Sequence, residues 1–336
     1  TGQGAGTSDR SVWPDSAMTP VEVQGTGGTL RLVIVPVRYD YDGSGRVPNT
    51  DETVQNTIKN RFYVTYPVPY DDIVMIVGDV FPWNRAVLKD GTGWDTLLYA
   101  VANDRQARGA GAKDYYYGII NPAETSNGYC GNSCIAGLGF VPNRPSDGYS
   151  KTAVGLGYSA NSMAGTMIHE IGHTHGLPHA PCGNPDAPDP NFPYAGGSIG
   201  VWGYDLLSKA LKDPSREKDF MSYCSPTWSS DYFFGKLLDW IQRTNALPMI
   251  MGETTYWRSL QMSLQGTVSV GGVFELSIPP SGDKVEVVLY DIDETPLAKV
   301  NGYITRTDLG GGLILFEEPS PDIFYVGLSG GEILPL

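Results

Sequence analysis

Residues 169–179 read HEIGHTHGLPH, and this segment holds all 4 histidines of the 336-residue chain. On a helix of 3.6 residues per turn, positions i and i+4 lie about 40° apart, so His169 and His173 project from one face and can share an ion. H-E-x-x-H is a zinc signature in which the glutamate beside the first ligand accepts a proton from water, and Glu170 occupies that position. His179 lies six residues further on, roughly 9 Å of helical rise, so the chain must turn back for it to reach the same ion. Gly176 sits between them and can adopt the φ > 0 conformation that such a turn demands. Three neutral imidazoles leave one exchangeable position on a tetrahedral zinc, the catalytic rather than the structural arrangement. His175, about 200° around the helix from His173, faces away and is expected to be structural.

Crowding the histidines into one segment narrows the alternatives. A Ser-His or Cys-His nucleophile would have to borrow one of these four, and no G-x-x-x-x-G-K-[ST] phosphate loop occurs. With 23 Lys+Arg against 37 Asp+Glu the net charge is -14, and no basic run is present, which excludes nucleic acid as a partner. Apolar runs such as LRLVIVPV (30–37) are strand-length, so no membrane span is expected. Charged residues make up only 18%, while 42 Gly, 25 Pro and 20 Tyr point to a loop-rich surface of the secreted kind. The opening TGQGAGTSDR has neither an initiator Met nor an apolar signal core, as expected of a processed or recombinant fragment. Cys130, Cys134, Cys182 and Cys224 permit two disulfides in three connectivities, which also suits an extracellular chain.

Periodicity orders the rest. LRLVIVPVR (30–38) reads as a buried strand, DETVQNTIKNRFYVTYP as a helix stopped by Pro67, and YDDIVMIVGDV (70–80) as a second strand. WDTLLYAVANDRQARG (94–109) suits a helix packed on a sheet through Leu97, Leu98, Val101 and Ala102, and KDYYYGII (113–120) a third strand. This alternation predicts an α/β (α+β) fold with a mixed twisted sheet. Residues 121–158, rich in Gly, Pro, Asn and Ser, read as a loop or edge hairpin that a Cys130–Cys134 bridge could pin. The histidine helix begins at a cap residue, Asn161 or Ser162, and stops at Gly176, and 180–216 is irregular. DYFFGKLLDWIQRTNAL (231–247) is amphipathic, with Phe234, Leu237, Leu238 and Ile241 on one face. Beyond about residue 250, short alternating runs such as KVEVVLYDID and GLILFEE predict a small all-β, sandwich-like domain over 251–336.

HEIGHTHGLPH resembles the extended zinc signature of the metzincin metallopeptidases, HExxHxxGxxH, which also carry a methionine turn downstream. KDFMSYCSPTW, with Met221 42 residues after His179, is similar to that turn, while GGSIGVWGYD and SPTWSSDYFF resemble secreted bacterial members. The resemblance spans about 30–245; Ala180 stands where astacins and serralysins carry an acidic residue, so no subgroup is assigned. It implies that Met221 forms an apolar floor beneath the metal, and that the Tyr223 hydroxyl binds zinc at rest or hydrogen-bonds the oxyanion. It further implies a catalytic domain over 1–250, with an upper subdomain of about 1–176 and a lower one of about 177–250. An extended substrate would lie between them, antiparallel to an edge strand. Cys182 and Cys224 flank the third ligand and the Met-turn, so a bridge between them would tie those segments together and leave Cys130 with Cys134.

DYDGSGRVPNTD (40–51) places Asp40, Asp42, Ser44, Gly45 and Asp51 at calcium-loop positions, but Asp in place of the final Glu, Pro48 and a preceding strand favour a plain polar connection over Ca2+. The acidic NPDAPDPN (184–191) poses the same question. The expected function is a secreted, monomeric zinc endopeptidase acting on proteins or glycoproteins, mucins among them. The competing expectation is an adhesion or glycan-binding protein with a vestigial metal site, which would have no use for Glu170.

Overall fold

The computed structural model describes residues 25–248 and 253–336. The N-terminal TGQGAGTSDR and the expected domain junction at 250/251 lie outside the described residues.

The first part of the chain runs β1 (Leu30–Tyr39), α1 (Glu52–Thr65), β2 (Ile73–Val77), β3 (Phe81–Trp83), α2 (Trp94–Ala107) and β4 (Asp114–Ile120). It continues through α3 (Ser126–Cys130), β5 (Gly137–Gly139), β6 (Thr152–Leu156) and α4 (Ala160–Thr174). The strands form a mixed sheet in the order β2-β1-β4-β6-β5, with β3 also paired to β1. All pairings are parallel except that of β5, which runs antiparallel to β6 at the edge.

Strands covered on both faces read as continuous apolar runs, and β1 sorts its residues by parity. Leu30, Leu32 and Ile34 share a core with α1, α4 and the later helix α5 (Asp231–Asn245), whereas Val33, Val35 and Val37 share one with α2. Asp51 caps α1 by accepting the Val54 N–H at 2.9 Å, and the helix ends just before Pro67.

Residues 121–158, expected as a loop or edge hairpin, hold both: β5 is the edge strand and pairs antiparallel with β6, which lies inside the sheet between β4 and β5. TAVGL is too short and too glycine-flanked to announce itself; its strand identity comes from having a partner on each side. In α5 the buried face is Phe233, Leu237, Trp240, Ile241 and Thr244, with Phe234 exposed.

Between α4 and α5 the chain is irregular apart from the hairpin β7 (Gly203–Asp205) and β8 (Ala210–Lys212), and the short parallel pair β9 (Lys218–Asp219) and β10 (Thr227–Trp228).

The C-terminal strands are β11 (Thr255–Met262), β12 (Val268–Leu276), β13 (Asp283–Tyr290), β14 (Pro296–Arg306), β15 (Gly312–Glu317), β16 (Tyr325–Leu328) and β17 (Ile333–Pro335). They form one antiparallel sheet, β12-β11-β15-β14-β13-β16-β17, curled as a half-barrel rather than a two-sheet sandwich. The reason lies in what covers its faces. Ile314 and Phe316 join Leu260, Val287, Ile304 and Val326 on one side. Leu313 and Leu315, with Trp257 and Phe274, join Trp94, Leu97, Tyr99 and Phe140 of the first part of the chain on the other. The layer that a sandwich would take from a second sheet is supplied by α2 and its neighbours. Polar contacts run along the same seam: Tyr99 OH donates to Met262 O at 2.7 Å, and Leu264 N–H donates to Asp95 Oδ2 at 3.0 Å.

Candidate metal centre

α4 is capped by Ser159, not by Asn161 or Ser162; the Ser159 side chain accepts the Ser162 N–H. At the other end Gly176 has φ 73°, and a Cβ there would lie 2.7 Å from the Trp240 ring. The chain reverses at this point, and His179 swings back toward the helix.

The three imidazoles then converge. His169 Nε2 and His173 Nε2 are 3.2 Å apart, and one ring nitrogen from each of His169, His173 and His179 lies within 4.8 Å of the others. Each Nδ1 donates to a backbone carbonyl: His169 to Phe220 O at 2.8 Å, His173 to Leu177 O at 2.7 Å and His179 to Asp186 O at 2.7 Å. With the proton held on Nδ1, every Nε2 presents its lone pair inward. The buried Nε2 of His179 has no hydrogen-bond partner in the protein. Burial, reinforced by its imidazole neighbour, holds His169 down to about 4; burial also lowers His173 and His179. Three neutral, inward-facing imidazoles are a donor set that fits a divalent ion such as zinc.

Met221 is fully buried under α4, its Sδ 2.5 Å from where a Cβ on Gly172 would be, so only glycine allows that approach. The turn around it is shaped by a residue that sequence reasoning passed over. Asp219 accepts the Met221 N–H on Oδ1 and the Ser230 N–H on Oδ2, both at 2.8 Å. Burial lifts its carboxyl to about 6. The available signal was an Asp two residues before the Met, the spacing of a side chain that hydrogen-bonds its own backbone. Disulfide Cys182–Cys224 and the bonds Ala180 N–H to Met221 O and Tyr223 N–H to Cys182 O, both 3.0 Å, join the third-histidine segment to this turn. The second disulfide is Cys130–Cys134, at the end of α3.

Tyr223 lies against the imidazoles, its ring centroid 4.9 Å from that of His179 and 5.8 Å from that of His169. Burial, then the Asp308 and Glu170 carboxylates, raise its hydroxyl pKa, so it stays a hydrogen-bond donor. Glu170 is buried with Oε2 unpartnered; burial, then Asp308, push its pKa well above the carboxylate range. Both side chains line a cleft of about 820 Å³ together with His169.

His175 takes no part. It donates from Nδ1 to Ile171 O at 2.7 Å and stacks on Tyr115 with centroids 4.4 Å apart. The calcium expectation is not supported. Arg38 pairs with Asp40, Arg46 pairs with Asp42, and Asp51 is spent on its helix cap. In the 184–191 loop, Asp189 accepts from Lys236 at 2.9 Å and Tyr232 at 3.0 Å. Among the described residues, the groupings able to hold an ion are the three histidines and an overlapping set, Glu170, His173 and Asp308. Asp308 lies in the turn after β14, and TRTDLGG reads as an ordinary turn, so no local signal marked it.

Convergent imidazole lone pairs beside a buried carboxylate, at the edge of a mixed sheet, are a donor set of the kind a metallohydrolase centre uses. The chain belongs to the peptidase M66 family, whose model matches residues 52–228. It is 36% identical over 148 residues to dictomallein of Burkholderia mallei (strain SAVP1), covering 43% of this chain and 18% of that protein. It is 41% identical over 68 residues to a dictomallein-like protein of Hahella chejuensis, covering 20% of this chain and 10% of the relative. The matched segments thus span less than a fifth of these curated relatives. Among solved structures, metalloproteinase-II from Bacteroides fragilis aligns with a TM-score of 0.37 at 16% identity, over 66% of this chain and 55% of that one.

Proposed function

We propose that the protein is a secreted zinc endopeptidase of metzincin type, in which His169, His173 and His179 hold the ion and Glu170 is the general base. The observation that carries this reading is that all three Nδ1 protons are committed to carbonyls while all three Nε2 atoms face one point. When bound there, the ion supplies a Lewis acid that polarises the scissile carbonyl and acidifies a water. Glu170, with a free carboxylate oxygen at the cleft, takes the water's proton and hands it to the departing amine. The Tyr223 hydroxyl donates to the oxyanion that develops on the carbonyl. Gly176 makes the turn and Met221 the apolar floor. Substrate, a protein or glycoprotein, runs extended along the edge strand β5. Residues 1–250 form the catalytic domain, with subdomains of about 1–176 and 177–250, and 251–336 a C-terminal β domain. Two disulfides favour an extracellular site; among the described residues no helix is long and apolar enough to cross a membrane.

The test compares the protein with Glu170→Ala on casein and on a heavily glycosylated mucin, with zinc measured by elemental analysis. The expected result is about one zinc per chain in both and cleavage lost in the variant. Equal cleavage by the two proteins overturns the mechanism.

A further inference from the structure

The edge of the catalytic sheet beside the histidines is already paired. Phe140 and Thr307 form an antiparallel bridge, Val141 N–H donates to Arg306 O at 2.9 Å, and Asp308 N–H donates to Gly139 O at 3.1 Å. Residues 306–308, the end of β14 and the start of the turn to β15, therefore lie along residues 139–141 as an added strand. An extended peptide bound to this edge would make the same kind of backbone bonds.

The pairing also aims Asp308. Its Oδ1 accepts the Gly139 N–H at 2.8 Å, which fixes the carboxylate plane. Its Oδ2 stands 3.8 Å from His173 Nε2 and 4.0 Å from His179 Nε2. Donor atoms around a tetrahedral zinc with Zn–N near 2.05 Å are roughly 3.3 Å apart, so this oxygen is within about 0.7 Å of ligand spacing from two of the three imidazoles, His173 and His179. Asp308 is buried close to a second buried carboxylate, Glu170, and among the described residues its ion-pair partners within 4 Å are the imidazoles of His173 and His179. Two carboxylates buried together without a cation are costly, and a divalent ion removes that cost. The turn divides the cleft as well. Asp308 lines both the large pocket with Glu170 and Tyr223 and a pocket of about 220 Å³ with His173, Pro178 and Asn143.

We propose that Asp308 is a fourth protein ligand of the ion, delivered by the C-terminal β module, and that Arg306–Asp308 occupies the substrate's place on β5. In this conformation the centre is self-blocked, and cleavage requires the β14–β15 turn to withdraw. The blocking half rests on the peptidase reading above; the ligand half rests on the histidine site alone.

The experiment loads the full chain with cobalt(II) and compares it with Asp308→Ala and Asp308→Asn. Asparagine keeps an oxygen for the Gly139 N–H, so it preserves the strand pairing while removing the anionic ligand. The expected result is a changed visible cobalt spectrum in both variants and metal affinity, read by chelator competition, weakened about tenfold or more, since partners outside the coordination sphere already contribute 10- to 100-fold. Peptide cleavage by the zinc forms at saturating zinc should rise in Asp308→Ala, which loses the Gly139 side-chain bond as well as the ligand, and rise less in Asp308→Asn, which keeps that bond. An unchanged spectrum and affinity in Asp308→Asn overturns the ligand assignment whatever the activity. Cleavage equal to or below that of the unsubstituted protein overturns the blocking role. If neither protein cleaves while the spectrum and affinity shift, the ligand assignment stands and the peptidase reading fails.

Discussion

Residues 169–179 and residues 306–308 meet at the same point in space, yet only the first segment advertises itself. The histidine segment is local: one helix, one glycine turn and a fixed spacing bring His169, His173 and His179 together. The turn after β14 arrives there because a seven-stranded sheet docks on α2 and the edge strand β5, a consequence of contacts far apart in the chain. A site can thus be half periodic and half topological, and spacing reports only the periodic half.

The sharpest way to break the comparison is at its chemical centre. Glu170→Ala should lower kcat by about 10²- to 10⁴-fold while zinc content stays at one per chain, measured by steady-state cleavage and elemental analysis. Loss of zinc along with activity would make Glu170 a structural neighbour of the site instead. At the docking face, Leu315→Ala empties a fully buried position shared by the sheet and the first part of the chain. It should cost about 2–5 kcal/mol in urea unfolding and, if the two parts stabilise each other, shift one common transition. Two separate transitions with only the later one moved would show that the module stands alone.

Nearer the histidines, Asp219→Ala strips the acceptors from the Met221 and Ser230 N–H groups and should cost about 1–3 kcal/mol by the same measurement. An unchanged midpoint would mean that the disulfide Cys182–Cys224 holds the turn by itself. The smallest expected effect is a pH slope. Burial, then the charge of Arg105, lower Lys151 to about 7, and its Nζ donates to Ala112 O at 2.6 Å. Above its unfolded value near 10.5 the amine is neutral in both states; as pH falls toward 7 the unfolded chain gains a proton that the folded chain resists. Stability should therefore decline from pH 10 to 7, and Lys151→Met should flatten that decline, as read by denaturation midpoints across the range.

Much of the sheet was legible because β1 and β4 are long apolar runs and α1 and α2 have clear stops. The strand β6 was not, since five residues containing a glycine gain strand character only from β4 and β5 on either side. Phe234 was placed on the wrong face of α5 because several apolar residues in a row let more than one helical stripe fit, and packing against the core chose Phe233 and Trp240. In the site, His175 could be sent to the far side by helix geometry, but its Tyr115 partner lies on β4. Asp219 left a faint local trace, and Asp308 left none.

Sequence by itself determined what depends on neighbours along the chain: the 3.6-residue period that aligns His169 with His173, the glycine that permits the return of His179, and the carboxylate held beside the first imidazole. Tertiary structure alone decided that the β module forms one curled sheet with its second layer borrowed from α2, and that its turn lies on β5 with Asp308 at the histidines. Helical spacing is written in consecutive residues, whereas the docking of two surfaces depends on the shape and burial of residues more than a hundred positions apart.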